Sequence, residues 1–371
     1  MPTLRDLLSA IDARFSLRRA ESWDKVGLQI GDENAPVTRA LIAHEATDAT
    51  LDAAQTLGAE ALVVYHPLLF RPLDTLNFAN HSARLAARCI SQNLHLVAAH
   101  TALDNAPPLA VKAPGALGDA LATQLGLRNL AVLAPSGSEA LCKIAVFTPL
   151  QSLEAVSAAM WQAGGGQIGD YDEASFRTLG RGTFRPLPGA SPHVGSVGAR
   201  ENVDEWRLEV IVPETQSGAV IAAMKAAHPY EEVAYDAYPL RNAVHPYGSA
   251  RVGELEAALP FDEFAASVQR ALSAPNLRLV RAGKSEIRRV ACVPGSGASY
   301  IDAAARGGCD CLVTGDIKHH DALKAQALGL ALIDATHTAT ERAAVPMLRD
   351  ALQSVAGLII DVCEVDTNPF L

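Results

Sequence analysis

The chain has 371 residues, 49% of them hydrophobic and only 5% aromatic, so it is long enough for two cores and too apolar to be disordered. A formal net charge of −10, with no local block of Lys and Arg to offset it, repels phosphate backbones, so nucleic acid is not the expected partner. No stretch of about eighteen apolar residues and no N-terminal signal pattern occurs, and six scattered cysteines without a Cys-x-x-Cys pair read as reduced thiols; a soluble, cytoplasmic protein with no membrane partner is expected.

Thr3 caps a predicted helix whose Leu4, Leu7, Leu8, Ile11 and Phe15 repeat at helical spacing. The stretch Trp23 to Gly31 reads as an extended loop closed by glycine. Buried strands are predicted near Ala40 to Ala43, Ala61 to Tyr65 and Leu94 to Ala99, alternating with helices around Asp48 to Leu57 and His81 to Gln92. That alternation predicts βαβ units and a parallel sheet. The second strand runs into Tyr65-His66-Pro67 and the third into His100-Thr101-Ala102-Leu103-Asp104. Ligands of open α/β sheets bind beyond the carboxyl ends of the strands, where these side chains would gather.

Past a helical stretch from Gly115 to Gly126, Pro135-Ser136-Gly137-Ser138 reads as a linker. Residues 140–242 then follow the order βαββαβ, predicting an inserted ferredoxin-like α+β domain. Gly164 to Gly169 follows a helix and lacks a Gly-Lys-Ser/Thr ending, so it reads as a turn and not a phosphate loop. His228-Pro229-Tyr230-Glu231-Glu232 reads as a solvated loop, or as one reaching over a neighbouring cleft.

After Gly253 the α/β rhythm resumes. The whole is therefore expected to be a discontinuous α/β domain with a parallel sheet (1–130 and 246–371), interrupted by the insert. Pro294 to Ser299 is a βα turn able to offer backbone N–H groups to an anion. Lys318, His319 and His320 follow another strand, as candidates for proton supply or anion binding or as the start of a solvated helix. An apolar run to Ile333 gives way to Asp334-Ala-Thr-His337-Thr-Ala-Thr-Glu341. In a helix His337 and Glu341 share one face and can converge on a divalent metal. Thr338-x-x-Glu341 also fits a helix capping box, and the segment alone leaves both readings open.

Trp23-Asp24-x-Val26-Gly27-Leu28-Gln29, Tyr65-His66-Pro67, His100-Thr101-x-Leu103-Asp104, His228-Pro229-Tyr230-Glu231-Glu232, Thr314-Gly315-Asp316-Ile317-Lys318 and His337-x-x-x-Glu341 occur in this order. Together they resemble the GTP cyclohydrolase I type 2 homologue family, also called the NGG-one-interacting factor three-like family, in its longer form with an inserted domain. The resemblance implies a dinuclear metal site and a ring-shaped homohexamer. Carried over by position, His66, Asp104 and Glu341 hold one metal, and Glu341 bridges to a second held by His337. Many members have paired histidines where this chain has Tyr65-His66, so either one ion of zinc, iron or manganese is expected, the second being weak or absent, or two, with His100 or water making up for the missing imidazole. Two functions follow: a metal-dependent hydrolase acting on a nucleotide or another small phosphorylated or heterocyclic substrate, with no catalytic acid assigned, or a non-catalytic metal- or nucleotide-binding ring with a regulatory or chaperone-like role.

Overall fold

The computed structural model describes residues 1–106, 115–169, 171–242, 246–283 and 285–370. Helix α1 (Leu4–Phe15) is capped as expected: the Asp6 carboxylate accepts from the Thr3 backbone N–H at 2.7 Å and from its hydroxyl at 2.8 Å. There follow β1 (Gly27–Ile30), β2 (Arg39–Ala43), α2 (Asp48–Leu57), β3 (Ala61–Val64), α3 (His81–Ser91), β4 (His95–Ala98), α4 (His100–Asp104), α5 (Leu117–Gln124), β5 (Arg128–Val132) and the short β6 (Gly137–Ser138). Gly58, in the left-handed region at φ 67°, stops α2 and turns the chain into β3.

The compact unit Ser138–Pro246 contains β7 (Leu141–Pro149), α6 (Leu153–Gln162), β8 (Phe176–Phe184), β9 (Glu201–Pro213), α7 (Ser217–Ala227) and β10 (Tyr235–Leu240). Its sheet is antiparallel throughout, in the order β10-β7-β9-β8. Ile144, Val146, Leu208 and Val210 project from one face into a core closed by Val156 and Met160 of α6 and Val220 and Met224 of α7. Gly164 to Gly169 is a turn behind α6, with Gly164, Gly166 and Gly169 at positive φ. The segment His228 to Glu232 is not simply solvated. His228 is buried with its Nε2 3.0 Å from the Phe147 carbonyl, and only Glu231 and Glu232 are exposed.

The chain continues with β11 (Pro246–Tyr247), β12 (Arg251–Pro260), α8 (Phe261–Leu272), β13 (Arg278–Val280), β14 (Glu286–Ser296), α9 (Ile301–Arg306), β15 (Cys311–Gly315), α10 (His319–Ala327), β16 (Ala331–Asp334), α11 (His337–Glu341), α12 (Ala344–Leu352) and β17 (Ile359–Val362). From Tyr247 on, the chain forms one compact unit with the segment that ends at Gly137.

That unit is mixed α/β, but its strands make two sheets where the sequence reading expected one. The first runs β1-β4-β3-β2-β17 and the second β13-β16-β15-β14-β12-β5. In each, the central strands are parallel and at least one edge is antiparallel. Part of the stretch read as a loop, Gly27 to Ile30, is the antiparallel edge strand beside β4. β3 illustrates why an unbroken apolar run encodes a strand here. Ala61 and Val63 enter the core with α1 and α12, while Leu62 and Val64 enter the core with α2 and α3 on the opposite face. The second sheet is covered likewise, by Leu121 of α5 and Phe264 and Val268 of α8 on one face and Ile301 and Ala304 of α9 on the other. Among the described residues no helix is long and apolar enough to cross a membrane.

Candidate metal centre

The parallel strands β2, β3 and β4 end at one edge, and their hydrogen bonding continues past the strand ends. His66 N donates to the His44 carbonyl at 3.0 Å and His100 N to the Tyr65 carbonyl at 2.9 Å. His44, Tyr65, His66 and His100 are thereby set side by side. Ring centroids lie 4.8 Å apart for His44 and His66 and 5.0 Å apart for His66 and His100. The second sheet brings its own carboxyl ends to the same place. α11 starts three residues after β16 and carries His337 and Glu341, whose Nε2 and Oε1 are 3.1 Å apart.

Glu341 is the hub. It is 3% exposed, and its Oε2 lies 2.9 Å from His66 Nε2 and 3.2 Å from His44 Nε2. The capping reading of this segment does not hold. Thr338 lies inside α11, the residue before the helix makes no side-chain cap, and the Glu341 carboxylate is spent on imidazoles. Gly295 makes room for it: at φ +62° the glycine would, with a Cβ, sit 2.2 Å from Glu341 Oε1, and its N–H donates to Thr340 Oγ1 at 2.9 Å. Three non-glycine residues around the site, His100, Asp316 and Thr336, also have positive φ, a strain that concentrates where function fixes the backbone.

Of the four residues carried over from the resemblance, His66, His337 and Glu341 touch one another. Asp104 stands beside them, its Oδ1 accepting from the Tyr65 hydroxyl at 2.8 Å. Tyr65 itself is fully buried, and burial and then the Asp104 charge push its phenol well above its ordinary range, so it is a neutral donor here. His100 turns its Nδ1 to Asp24 at 2.9 Å, which also accepts from the Thr101 N–H at 3.1 Å. Lys318, His319 and His320 are exposed, and the two histidines begin α10.

Two members were missed. His44 follows β2 directly, the same apolar run ending in imidazole that marked His66, and Asp316, just past β15, holds His337 Nδ1 at 2.7 Å. His44, His66 and Glu341 offer ligand atoms that all lie within 4.8 Å of one another.

Electrostatics explain what such a site lacks. Burial pushes Asp104 up to about 7, with the Glu341 charge adding to it. Burial pulls His66 down despite its bond to Glu341. Burial also opposes the charged form of His337, but the Glu341 and Asp316 carboxylates outweigh it and raise the imidazole to about 9. Glu341 is held well below its usual range because His337, His44 and His66 overcome its burial. His44 Nε2 is close to Glu341 without the alignment of a hydrogen bond, and both of its buried ring nitrogens are orphaned. Each orphan costs about 1–3 kcal/mol, and an imidazole nitrogen 3.2 Å from a carboxylate oxygen without bonding to it suits a shared cation. The donor set fits a divalent metal.

A cleft of about 650 Å³ opens on this cluster, with Trp23, Phe70 and His100 on one side and Ser296, Ser299 and Tyr300 on another. Trp23 meets Phe70 edge to face at 5.8 Å.

A model of the family Duf34/NIF3 (NGG1p interacting factor 3) matches residues 2–369. The protein called GTP cyclohydrolase 1 type 2 homolog in Halalkalibacterium halodurans is 40% identical over 86% of this chain and 84% of its own length. Its namesake in Bacillus subtilis is 38% identical over 95% and 93%. A solved Bacillus cereus protein related to NIF3 is 36% identical, covering 100% of this chain and 99% of its own, with a TM-score of 0.88. The chain belongs to the Duf34/NIF3 family.

Proposed function

We propose that the cleft is the site of a metal-dependent hydrolase acting on a nucleotide or a related small phosphorylated heterocycle. The observation that carries this is the hub: a carboxylate 3% exposed, with three imidazole nitrogens within 3.2 Å, one of them on a ring with no hydrogen-bond partner. His44, His66 and Glu341 would hold one ion, and His337 with Glu341 a second, next to Asp104. His44 then supplies the imidazole that Tyr65 does not. Two imidazoles and a carboxylate suit zinc, iron or manganese.

When bound, such an ion lowers the pKa of coordinated water and polarises a phosphoryl or carbonyl oxygen. The residues around it divide the remaining tasks. Trp23 and Phe70 offer apolar faces to a planar heterocycle. The Pro294 to Ser299 turn, with the Ser296 and Ser299 hydroxyls on the cleft, faces an anionic group. Asp24 fixes the His100 ring and, against the pull of burial, keeps its pKa above the ordinary value, so His100 can hold a proton at the cleft wall. The relatives' shared name supports a purine nucleotide as substrate.

The insert's order βαββαβ and strand order β10-β7-β9-β8 support a ferredoxin-like reading of that unit. A homohexameric ring and a cytoplasmic location complete the proposal, the latter supported by free thiols at all six cysteines. Elemental analysis of untagged protein, followed by a screen of each metal-loaded form against nucleotides and phosphoesters, tests the proposal. Turnover abolished in a folded Glu341→Ala variant is the expected result. Tight nucleotide binding without turnover would move the protein to the non-catalytic, regulatory reading, and light scattering decides the ring.

A further inference from the structure

The insert carries a second cavity, independent of the metal centre. Helices α6 and α7 cover only one face of its sheet. On the other face Phe147 of β7 and Glu205 of β9 point outward from the strand alternation that sends Val146 and Leu208 into the core. Opposite them β8 has glycines: Gly180 pairs with Glu205, and a Cβ on Gly182 would lie 2.2 Å from Glu205 Oε2. Gly182 thus makes room for the Glu205 carboxylate at the wall of a cavity of about 360 Å³, within the usual size of small-molecule sites of about 300–1,000 Å³. Its remaining walls come from the loop after β8, including His193 and Val194, and from Tyr230.

The motif His228-Pro229-Tyr230-Glu231-Glu232 builds this cavity. His228 is a strut, with Nε2 on the Phe147 carbonyl at 3.0 Å and Nδ1 accepting from the Tyr230 N–H at 3.1 Å. Tyr230 is a wall, its ring 6.2 Å from Phe184 and 5.9 Å from His193. Glu231 ties down the covering loop by accepting from the Ser191 N–H at 2.8 Å.

The cavity has one sign of charge. Glu205, Glu231 and Glu232 line it, and among the described residues no Lys or Arg does. Arg207, whose guanidinium lies 6.0 Å from the Phe147 ring, is paired with Glu209. Glu205 is 8% exposed; its Oε1 accepts from the Tyr230 hydroxyl at 3.1 Å, and among the described residues its Oε2 has no hydrogen-bond donor. A carboxylate oxygen with no donor from the protein, at the wall of a cavity lined by aromatic rings, selects a cation with N–H to donate.

We propose that this cavity binds a small organic cation, a protonated amine on an apolar or aromatic body, with Glu205 Oε2 accepting from the ammonium and Phe184 and Tyr230 packing on the body. The test is calorimetric titration of the full chain with benzylamine, benzyl alcohol and benzoate at millimolar concentrations. Benzylamine binds, at least about tenfold more tightly than the alcohol, the gap expected for a charge-assisted hydrogen bond, and benzoate does not bind. Glu205→Gln weakens benzylamine by about tenfold or more, and Val194→Trp, which fills the cavity from the loop without touching the sheet, abolishes it; both keep the wild-type circular dichroism and metal content. Equal binding of alcohol and amine, binding indifferent to both substitutions, or no benzylamine binding to the wild-type chain overturns the proposal.

Discussion

Glu341 and Glu205 are buried to a similar degree, 3% and 8% exposed, yet their company differs. Glu341 has nitrogens on both oxygens, and each imidazole is itself held by the end of a strand or helix. Glu205 has a phenol on one oxygen, while the other lies against Gly182 at the cavity wall and, among the described residues, accepts no hydrogen bond. A buried carboxylate costs several kcal/mol unless something meets it, so the surroundings tell what each would take. Imidazoles that cannot all share one proton favour a metal, whereas aromatic walls and an open oxygen favour an ammonium.

The largest effect that would break this comparison is Glu341→Ala. It removes the atom group shared by all three imidazoles and is expected to strip the bound metal altogether, read as metal per chain after dialysis, while benzylamine binding stays at the wild-type value. His44→Ala is a step smaller. It removes one ligand and lowers metal affinity by at least about 10–100-fold in a chelator competition, the loss that removing even a residue behind a ligand brings; an unchanged affinity would mean that His44 is only a neighbour. Tyr230→Phe sharpens the other side. Loss of its bond to Glu205 lowers the stability of the insert by about 1.5 kcal/mol, the lower end for a hydrogen bond to a charged group. Benzylamine affinity changes little, because the ligand uses Oε2.

Glu60 gives the scale for a carboxylate satisfied by the chain itself. It accepts from the Thr38 N–H at 2.6 Å and the Arg39 N–H at 2.9 Å, bonds that outweigh its burial and lower its pKa. A depressed folded-state pKa contributes stability that is present above the unfolded value near 4.3 and lost as pH falls through the folded value. Glu60→Gln should therefore cost about 1 kcal/mol at pH 7, discounted for its partial exposure, and progressively less in acid. Denaturant melts at pH 7 and pH 3 check the sign; equal losses at both would show that the effect is steric.

Much of the α/β rhythm was legible because a strand buried on both faces is written as an uninterrupted apolar run, as in Ala61 to Val64. The polar residues that interrupt such runs marked His66, His337 and Glu341. His44 carried the same signature after Ala43 but stands between the strand and the Thr47 cap of α2, and it was passed over. The division into two sheets was not legible, since pairing joins segments far apart: β17 pairs with β2 across more than 300 residues. Nor was the cavity of the insert, whose walls come from three strands, a loop and the His228 to Glu232 segment, each ordinary by itself.

Gly295 sits against the hub with nothing to spare. One added methyl there would displace the Glu341 carboxylate and disarm the centre while leaving every proposed ligand in the sequence. Gly295→Ala thus offers geneticists an allele that preserves the ligand set but not its geometry, a means of separating what the cell needs from the proposed centre from what it needs from the mere presence of the protein.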